Sequence, residues 1–271
     1  MKNVIGIDIG GSTTKIVGFS GEGELIEPMA VKAADPLTSA YGAFGKFTNQ
    51  NRIRLDEVSQ VMITGVGASY INKDIFGLPC KICPEFDCIG KGGLWLSGLD
   101  EAIVVSMGTG TAMVYSKRGS APVYLGGTGV GGGTLVGLSH LLLGTDNIEH
   151  IFSLAETGDI SNIDLRISDM TSRDILPGMP GDMTASNFGN VDNLASIGDK
   201  ALGLINMVFE TIGMCAIFAS RAYKLNDIVL TGNLTRAPIA KKTFDTLNKM
   251  FGVNFIIPKN SFFSTVIGAA L

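Results

Sequence analysis

Histidine and cysteine are scarce in this chain, and each scarcity removes a class of chemistry. Two histidines, His140 and His150, in 271 residues leave a Ser–His–acid triad without support. The four cysteines imply no disulfide framework in a chain of this size. Cys80-x-x-Cys83 with Cys88 lacks a fourth ligand at tetrahedral spacing, and both histidines are far away in sequence. Charge is sparse at 17% of residues, with 21 Lys and Arg against 25 Asp and Glu and no basic block. A nucleic-acid or anionic-membrane partner is therefore not expected. The most apolar run, residues 201–219, is broken by Asn206 and Glu210, which reads as a buried or interfacial helix rather than a membrane span. The chain enters a strand at once, without a signal peptide, and a cytoplasmic location is expected. No G-x-x-x-x-G-K-[ST] occurs, which rules out a P-loop.

Glycine is what the chain has in excess. Its 36 glycines are roughly double the usual ~7% share, and they cluster at residues 10–11, 90–93, 108–110 and 126–133. Clusters at strand-to-turn junctions point to binding loops built from backbone. The first is Gly6-Ile7-Asp8-Ile9-Gly10-Gly11-Ser12-Thr13-Thr14-Lys15. It reads as an apolar strand over residues 4–9 carrying one carboxylate, then two glycines, hydroxyls and a second strand. A phosphate cradle beside a metal-directed Asp8 fits it, and so does a plain hairpin turn. Residues 102–106 repeat the pattern, running into Gly108-Thr109-Gly110-Thr111 and a partner strand at 113–116. Strands at 24–32 and 58–64 and a helix at 37–50, started by Asp35-Pro36, complete the first cycle. Residues 123–125, a helix at 134–143, a long apolar helix at 196–223, a strand at 227–230, a helix at 238–250 and a strand at 253–257 make the second. Two such cycles predict a duplicated α/β fold with a nucleotide in the cleft between the halves.

Gly127-Thr128-Gly129-Val130-Gly131-Gly132 matches the dinucleotide pattern G-x-G-x-x-G, but no acidic residue ends a second strand about 20 residues on. It reads better as a glycine loop opening the helix from residue 134, whose free N–H groups would hold phosphate oxygens. Glu85 follows Pro84 at the start of a helix at 86–96. It is either a general base with a raised pKa or, with Asp87, a helix cap. Residues 180–189, PGDMTASNFG, read either as a lid or substrate-facing turn or as a capped short helix. His140, in GLSHLLL, reads as a core or interface residue rather than a base.

Taken in order, Asp8-Ile9-Gly10-Gly11-Ser12-Thr13-Thr14-Lys15, Glu85-Phe86-Asp87, Gly108-Thr109-Gly110-Thr111, the 126–133 loop with Thr134, the 180–189 segment and Phe263-Ser264-Thr265-Val266-Ile267-Gly268-Ala269 resemble the type II pantothenate kinases over essentially the whole chain. The resemblance implies an actin-like ATPase fold of the acetate and sugar kinase class. Its two RNase-H-like halves, residues 1–100 and 101–271, would clasp ATP. It implies that Asp8, Gly10, Gly11, Ser12, Thr13 and Lys15 form the first phosphate loop, with Asp8 at the magnesium ion, and that Thr109 belongs to the second. Gly132, Gly133, Thr134, Leu135 and Val136 would supply contacts to the nucleotide, Asn233 would lie near the adenosine, and Glu85 would be the catalytic base. The family acts as homodimers, with the long helix from Ser196 as an interface candidate, and phosphorylates pantothenate at its primary hydroxyl in the first step of coenzyme A synthesis. Two positions depart from the family. Its arginine before the glycine loop is Tyr124 here, and a substrate-contacting hydroxyl after the second phosphate loop is Ala112. Other readings within this fold are a kinase for another small hydroxyl compound, an ATP-hydrolysing activator drawing on Cys80, Cys83 and Cys88, and a silent nucleotide sensor.

Overall fold

The computed structural model describes residues 2–32, 35–71, 74–171 and 180–271. The first half holds β1 (Asn3–Ile9), β2 (Thr13–Phe19), β3 (Leu25–Lys32), α1 (Pro36–Gln50), β4 (Val58–Thr64), β5 (Cys80–Ile82) and α2 (Glu85–Ser97). Its sheet runs β3-β2-β1-β4-β5, antiparallel through β1, β2 and β3 and parallel from β1 to β4 to β5. The second half opens with β6 (Glu101–Met107), β7 (Thr111–Lys117), β8 (Val123–Thr128), α3 (Gly132–Leu143) and α4 (Ile148–Ala155). It continues through β9 (Leu165–Arg166), α5 (Ile167–Met170), β10 (Thr184–Ser186), α6 (Ile197–Tyr223), β11 (Asp227–Thr231), α7 (Ala240–Phe251), β12 (Asn254–Ile256) and α8 (Ser264–Ala270). Its sheet runs β12-β11-β6-β7-β8 with the same pattern of antiparallel and parallel pairs. The second sheet therefore repeats the first strand for strand, as the two glycine hairpins predict.

Local chemistry explains most boundaries. Asp35 caps α1, accepting from the Thr38 N–H at 2.7 Å, and Pro36 fills a first-turn position that needs no N–H donor. Ser196 caps α6 in a capping box with Asp199. α6 is long and apolar enough to cross a membrane, yet Leu204, Ile205, Val208, Phe209 and Ile212 are buried in the second half's core with Ile103, Val105, Ile228 and Leu230. Glu210 and Asn206, which interrupt its apolar run, hold another segment. Glu210 accepts from the Thr184 hydroxyl (2.7 Å) and Asn187 (2.9 Å), while Asn206 donates to the buried Asp164 (2.9 Å).

Two helices cross between the halves. Ile89 and Leu94 of α2 pack on Ala102, Val104, Val114 and Val229 of the second sheet. Val266, Ile267 and Ala270 of α8 pack on Val17 and Phe19 of the first. The helices meet through glycines: a side chain at Gly92 would collide with the Ser264 carbonyl, and one at Gly268 with the Cys88 carbonyl. This middle layer ties the two sheets together and leaves the cleft at the ends of their central strands.

Candidate active site

Both glycine hairpins and both crossover turns emerge at the carboxyl ends of the parallel strands, where α/β sheets bind ligands. The β1–β2 turn, the β6–β7 turn, Val66 after β4, and Gly232 and Asn233 after β11 all line one cleft of ≈700 Å³, within the range of small-molecule sites. Asp8, Gly10, Gly11, Ser12, Thr13, Lys15, Glu85, Thr109 and Asn233 come together there, although 225 residues separate Asp8 from Asn233. Tyr124 and Ala112 line the same cleft. An adjoining recess of ≈720 Å³ shares Ser12, Thr13, Thr109 and Asn233 and adds Gly132, Gly133 and Val136.

Electrostatics joins three of these residues. Asp8 and Lys15 face each other across the β1–β2 register with Nζ and Oδ2 3.9 Å apart, and both are buried. Burial pushes the Asp8 carboxyl above the usual carboxylate range, opposed by Lys15. The same burial pulls the Lys15 ammonium below its ordinary value, opposed first by Asp8 and then by Glu85. The Lys15 ammonium also sits 4.5 Å from the centre of the Phe262 ring, which the Arg236 guanidinium approaches to 5.1 Å. Glu85 is the first residue of α2. It is exposed to the cleft's solvent, yet enough protein surrounds it that desolvation, and secondarily Asp8, raises its pKa against the pull of Lys15. The helix cap is Pro84, with no side-chain cap bond, so neither Glu85 nor Asp87 fills the capping role.

The glycine loop differs from its sequence reading. β8 extends through Gly126 to Thr128 and α3 begins at Gly132, so the segment 126–133 is mostly strand and helix. Three N–H groups at this helix start are engaged within the chain. Gly132 donates to the Gly108 carbonyl and Gly133 to the Thr109 carbonyl, each at 2.8 Å, and Leu135 donates to Gly131 at 3.0 Å. Glycine is needed because a side chain at 131 or 132 would strike the backbone of residues 108–110, and one at 133 would press on the Thr109 side chain. The loop therefore braces the β6–β7 turn. Leu135 is fully buried in the core, and the Thr134 hydroxyl donates to the Gly129 carbonyl at 2.8 Å. Neither residue lines the cleft or the recess.

Other sequence readings find different places. Residues 184–186 form a strand paired with β9 rather than a capped helix, and the segment 180–189 lies outside the cleft wall. His140 is exposed on α3, not in the core. Sequence reasoning missed Arg236 and Phe262, which line the recess. Arg236 pairs with Glu149 at 3.3 Å. Spacing held no signal for them, since they come from separate turns near the C-terminus.

The residues suit a nucleotide and magnesium on their own chemistry. The buried Asn233 Oδ1 has no hydrogen-bond partner within the chain and lines both cleft and recess, which suits an amino or hydroxyl donor of a ligand. Among the described residues no three His, Cys, Asp or Glu gather as a metal cluster. The buried Asp8 carboxylate beside a glycine turn fits magnesium, which is typically held by one or two carboxylates, water and substrate phosphates.

Comparison with known proteins agrees with this architecture. The Fumble family model matches residues 101–255. The type II pantothenate kinase of Staphylococcus haemolyticus is 30% identical over 275 aligned positions, covering 98% of each chain. Among solved structures, component A of the Acidaminococcus fermentans (R)-2-hydroxyglutaryl-CoA dehydratase superposes with a TM-score of 0.69 at 14% identity over 100% of this chain and 96% of its own. A ROK family glucokinase from Streptomyces griseus, in complex with glucose and AMPPNP, does so with 0.62 at 14% identity over 99% and 98%. The fold is that of the actin-like ATPases, and the chain belongs to the type II pantothenate kinase family.

Proposed function

We propose that this chain transfers the γ-phosphoryl group of ATP to the primary hydroxyl of pantothenate, the first step of coenzyme A synthesis. The observation that carries the reading is the trio of Glu85, Asp8 and Lys15 in one cleft between two glycine turns. Residues 1–100 and 101–271 are taken as the two ATP-clasping halves. In this reading Gly10, Gly11, Ser12 and Thr13 face the phosphates from one side and Thr109 from the other. Asn233 meets the nucleoside end, with Gly132, Gly133 and Val136 lining the recess beside it. Asp8 would hold magnesium, which when bound supplies neutralisation of phosphate charge.

Glu85 accepts the proton of the acceptor hydroxyl as its oxygen displaces ADP from phosphorus. Its raised pKa brings it nearer to neutrality, where a carboxylate is a stronger base while still ionised. Lys15 adds positive charge near the transferred group. The cytoplasm is the expected location and a homodimer the expected assembly, supported by exposed Ile197 and Phe218 on α6. ADP release measured with ATP and pantothenate, in the wild type and Glu85→Gln, tests the reading. Acceptor-dependent release that falls about 10²–10⁴-fold in the variant supports it. Turnover that ignores pantothenate, or that survives the substitution, refutes it.

A further inference from the structure

Thr64, the last residue of β4, is fully buried and lines neither the cleft nor the recess. A buried hydroxyl is costly unless it finds a partner, and this one donates to the Cys83 carbonyl at 3.1 Å. Cys83 is held at two further points. Its N–H donates to the Ile63 carbonyl at 2.7 Å, and its Sγ lies 3.8 Å from the Ala269 carbonyl oxygen of α8. One residue, Pro84, separates Cys83 from Glu85, with φ at −57° fixed by its ring. The cap of α2 makes no side-chain hydrogen bond, so the segment that presents Glu85 is located through Cys83. The buried Cys88 thiol, one turn further along α2, lies beside the same Thr64 hydroxyl. Thr64 also pairs with Asp8 in the parallel β1–β4 register. One residue thus joins the strand end that carries Asp8 to the segment that carries Glu85.

We infer that Thr64 is a positioning residue whose hydroxyl sets the place of Glu85 relative to Asp8, and with it the alignment of the acceptor hydroxyl on the phosphoryl group. The inference rests on the kinase reading above and deepens it. Transfer needs the reacting atoms about 3–3.5 Å apart and aligned, and a misplacement of about 1 Å can cost about 10²-fold in rate. Without the Thr64 hydroxyl the Cys83 carbonyl loses a donor in a buried place, and the segment from Cys83 to Glu85 is free to shift. The β1–β4 ladder is made of backbone and stays where it is, so Asp8 keeps its position. Valine retains the branched shape of threonine, so Thr64→Val removes the hydroxyl and leaves the strand intact.

Steady-state ADP release with Mg-ATP and pantothenate tests the inference in the wild type, Thr64→Val and Thr64→Ser, and again with Thr64→Val in the Glu85→Gln background. Thr64→Val should lower kcat about tenfold or more and leave the KM for Mg-ATP unchanged, while Thr64→Ser, which keeps the hydroxyl, should retain most of the wild-type kcat. The charged groups that act on Glu85 are Asp8 on β1 and Lys15 on β2. A loosened Glu85 is better hydrated, so the low-pH limb of kcat/KM should move in Thr64→Val toward the ordinary carboxylate value. In the Glu85→Gln background Thr64→Val should cost nothing further, as expected of two residues that act through one group. If Thr64→Val fails to fold, Thr64→Ala carries the same comparisons. An unchanged kcat, an unmoved pH limb, or a loss that repeats in full in the Glu85→Gln background overturns the inference and leaves the kinase reading standing. A wild type without pantothenate-dependent ADP release defeats the kinase reading and this inference with it.

Discussion

Replacing Gly65 by alanine should damage the site from behind, without replacing a residue that lines it. Gly65 follows β4 with φ 89° and ψ 168°, a region that only glycine enters freely and that costs other residues about 1–3 kcal/mol. A Cβ there would also lie 2.7 Å from the Ile9 carbonyl oxygen and 2.9 Å from its carbon, with Asp8 Oδ1 closer still. The carbonyl is pinned in the β1 ladder, so the movable atom is the Asp8 carboxylate. Gly77, at φ 75° with open space around its would-be Cβ, is the control, since its alanine variant suffers the backbone penalty without the collision. That penalty is about 1 kcal/mol, and the two terms at Gly65 together reach about 3 kcal/mol or more. At roughly 2–4 °C per kcal/mol for a chain of this class, Gly77→Ala should lower Tm by about 3 °C and Gly65→Ala by about 9 °C. Calorimetric titration with Mg-ATP should show affinity falling about tenfold or more in Gly65→Ala and unchanged in Gly77→Ala. If the two variants lose the same stability and bind Mg-ATP alike, Gly65 does not set the position of Asp8 and the reasoning fails.

The remaining predictions concern ionisation and packing. The wild-type kcat/KM should rise with pH through the raised Glu85 pKa, because the base acts only when ionised, and a pH–rate profile of Glu85→Gln should lose that limb. A carboxyl whose pKa is raised by folding binds its proton more tightly folded than unfolded, so its stabilising effect is full below the unfolded value and is lost as pH rises through the folded one. The Tm of Glu85→Gln relative to wild type should accordingly be higher at pH 8 than at pH 4. Cys88, 1% exposed and pushed up to about 12 mainly by burial, should resist iodoacetamide at pH 8 in the native protein, as intact mass with peptide mapping would show. Phe209→Ala, which empties a fully buried ring from the contacts with Phe244, should cost about 3–5 kcal/mol by urea denaturation.

The duplicated topology was legible because its cause is local and repeated. Apolar strands ending in glycines and hydroxyls, at 4–15 and again at 102–116, become β1–β2 and β6–β7 with matching partners on either side. Asp35-Pro36 and Ser196 marked the starts of α1 and α6 by chemistry confined to four residues. The short elements at 148–170 and the strand at 184–186 were not legible. They are held by long-range bonds such as Asn187 to Glu210 and Phe188 to Asp164, which no short window contains. The hydrogen bonds of Gly132 and Gly133 to residues 108 and 109 hid for the same reason, since composition cannot tell a glycine that faces a ligand from one that lets two backbones touch.

The two sides of the cleft draw on different parts of the sequence. The side read as the ATP site is set largely by backbone: φ 89° at Gly65 against β1 is matched by φ 91° at Gly232 against Met107. A device made of backbone conformation does not depend on neighbouring side chains, and the frame as a whole is shared with solved structures at 14% identity. The side read as the acceptor site is lined by side chains from α2, β7 and β8, with Phe86, Ala112 and Tyr124 among them, and single substitutions there alter charge and shape without disturbing the frame. Frame and acceptor binding should therefore separate experimentally. Tyr124→Ala should raise the KM for the acceptor with little effect on Mg-ATP affinity, and Gly232→Ala, whose Cβ would lie 2.6 Å from the Met107 carbonyl oxygen, should weaken Mg-ATP binding while leaving the acceptor KM unchanged. A change in the acceptor KM on mutating Gly232 would mean that the two sides are mechanically coupled, and that acceptor binding cannot be assigned to the side chains of α2, β7 and β8 alone.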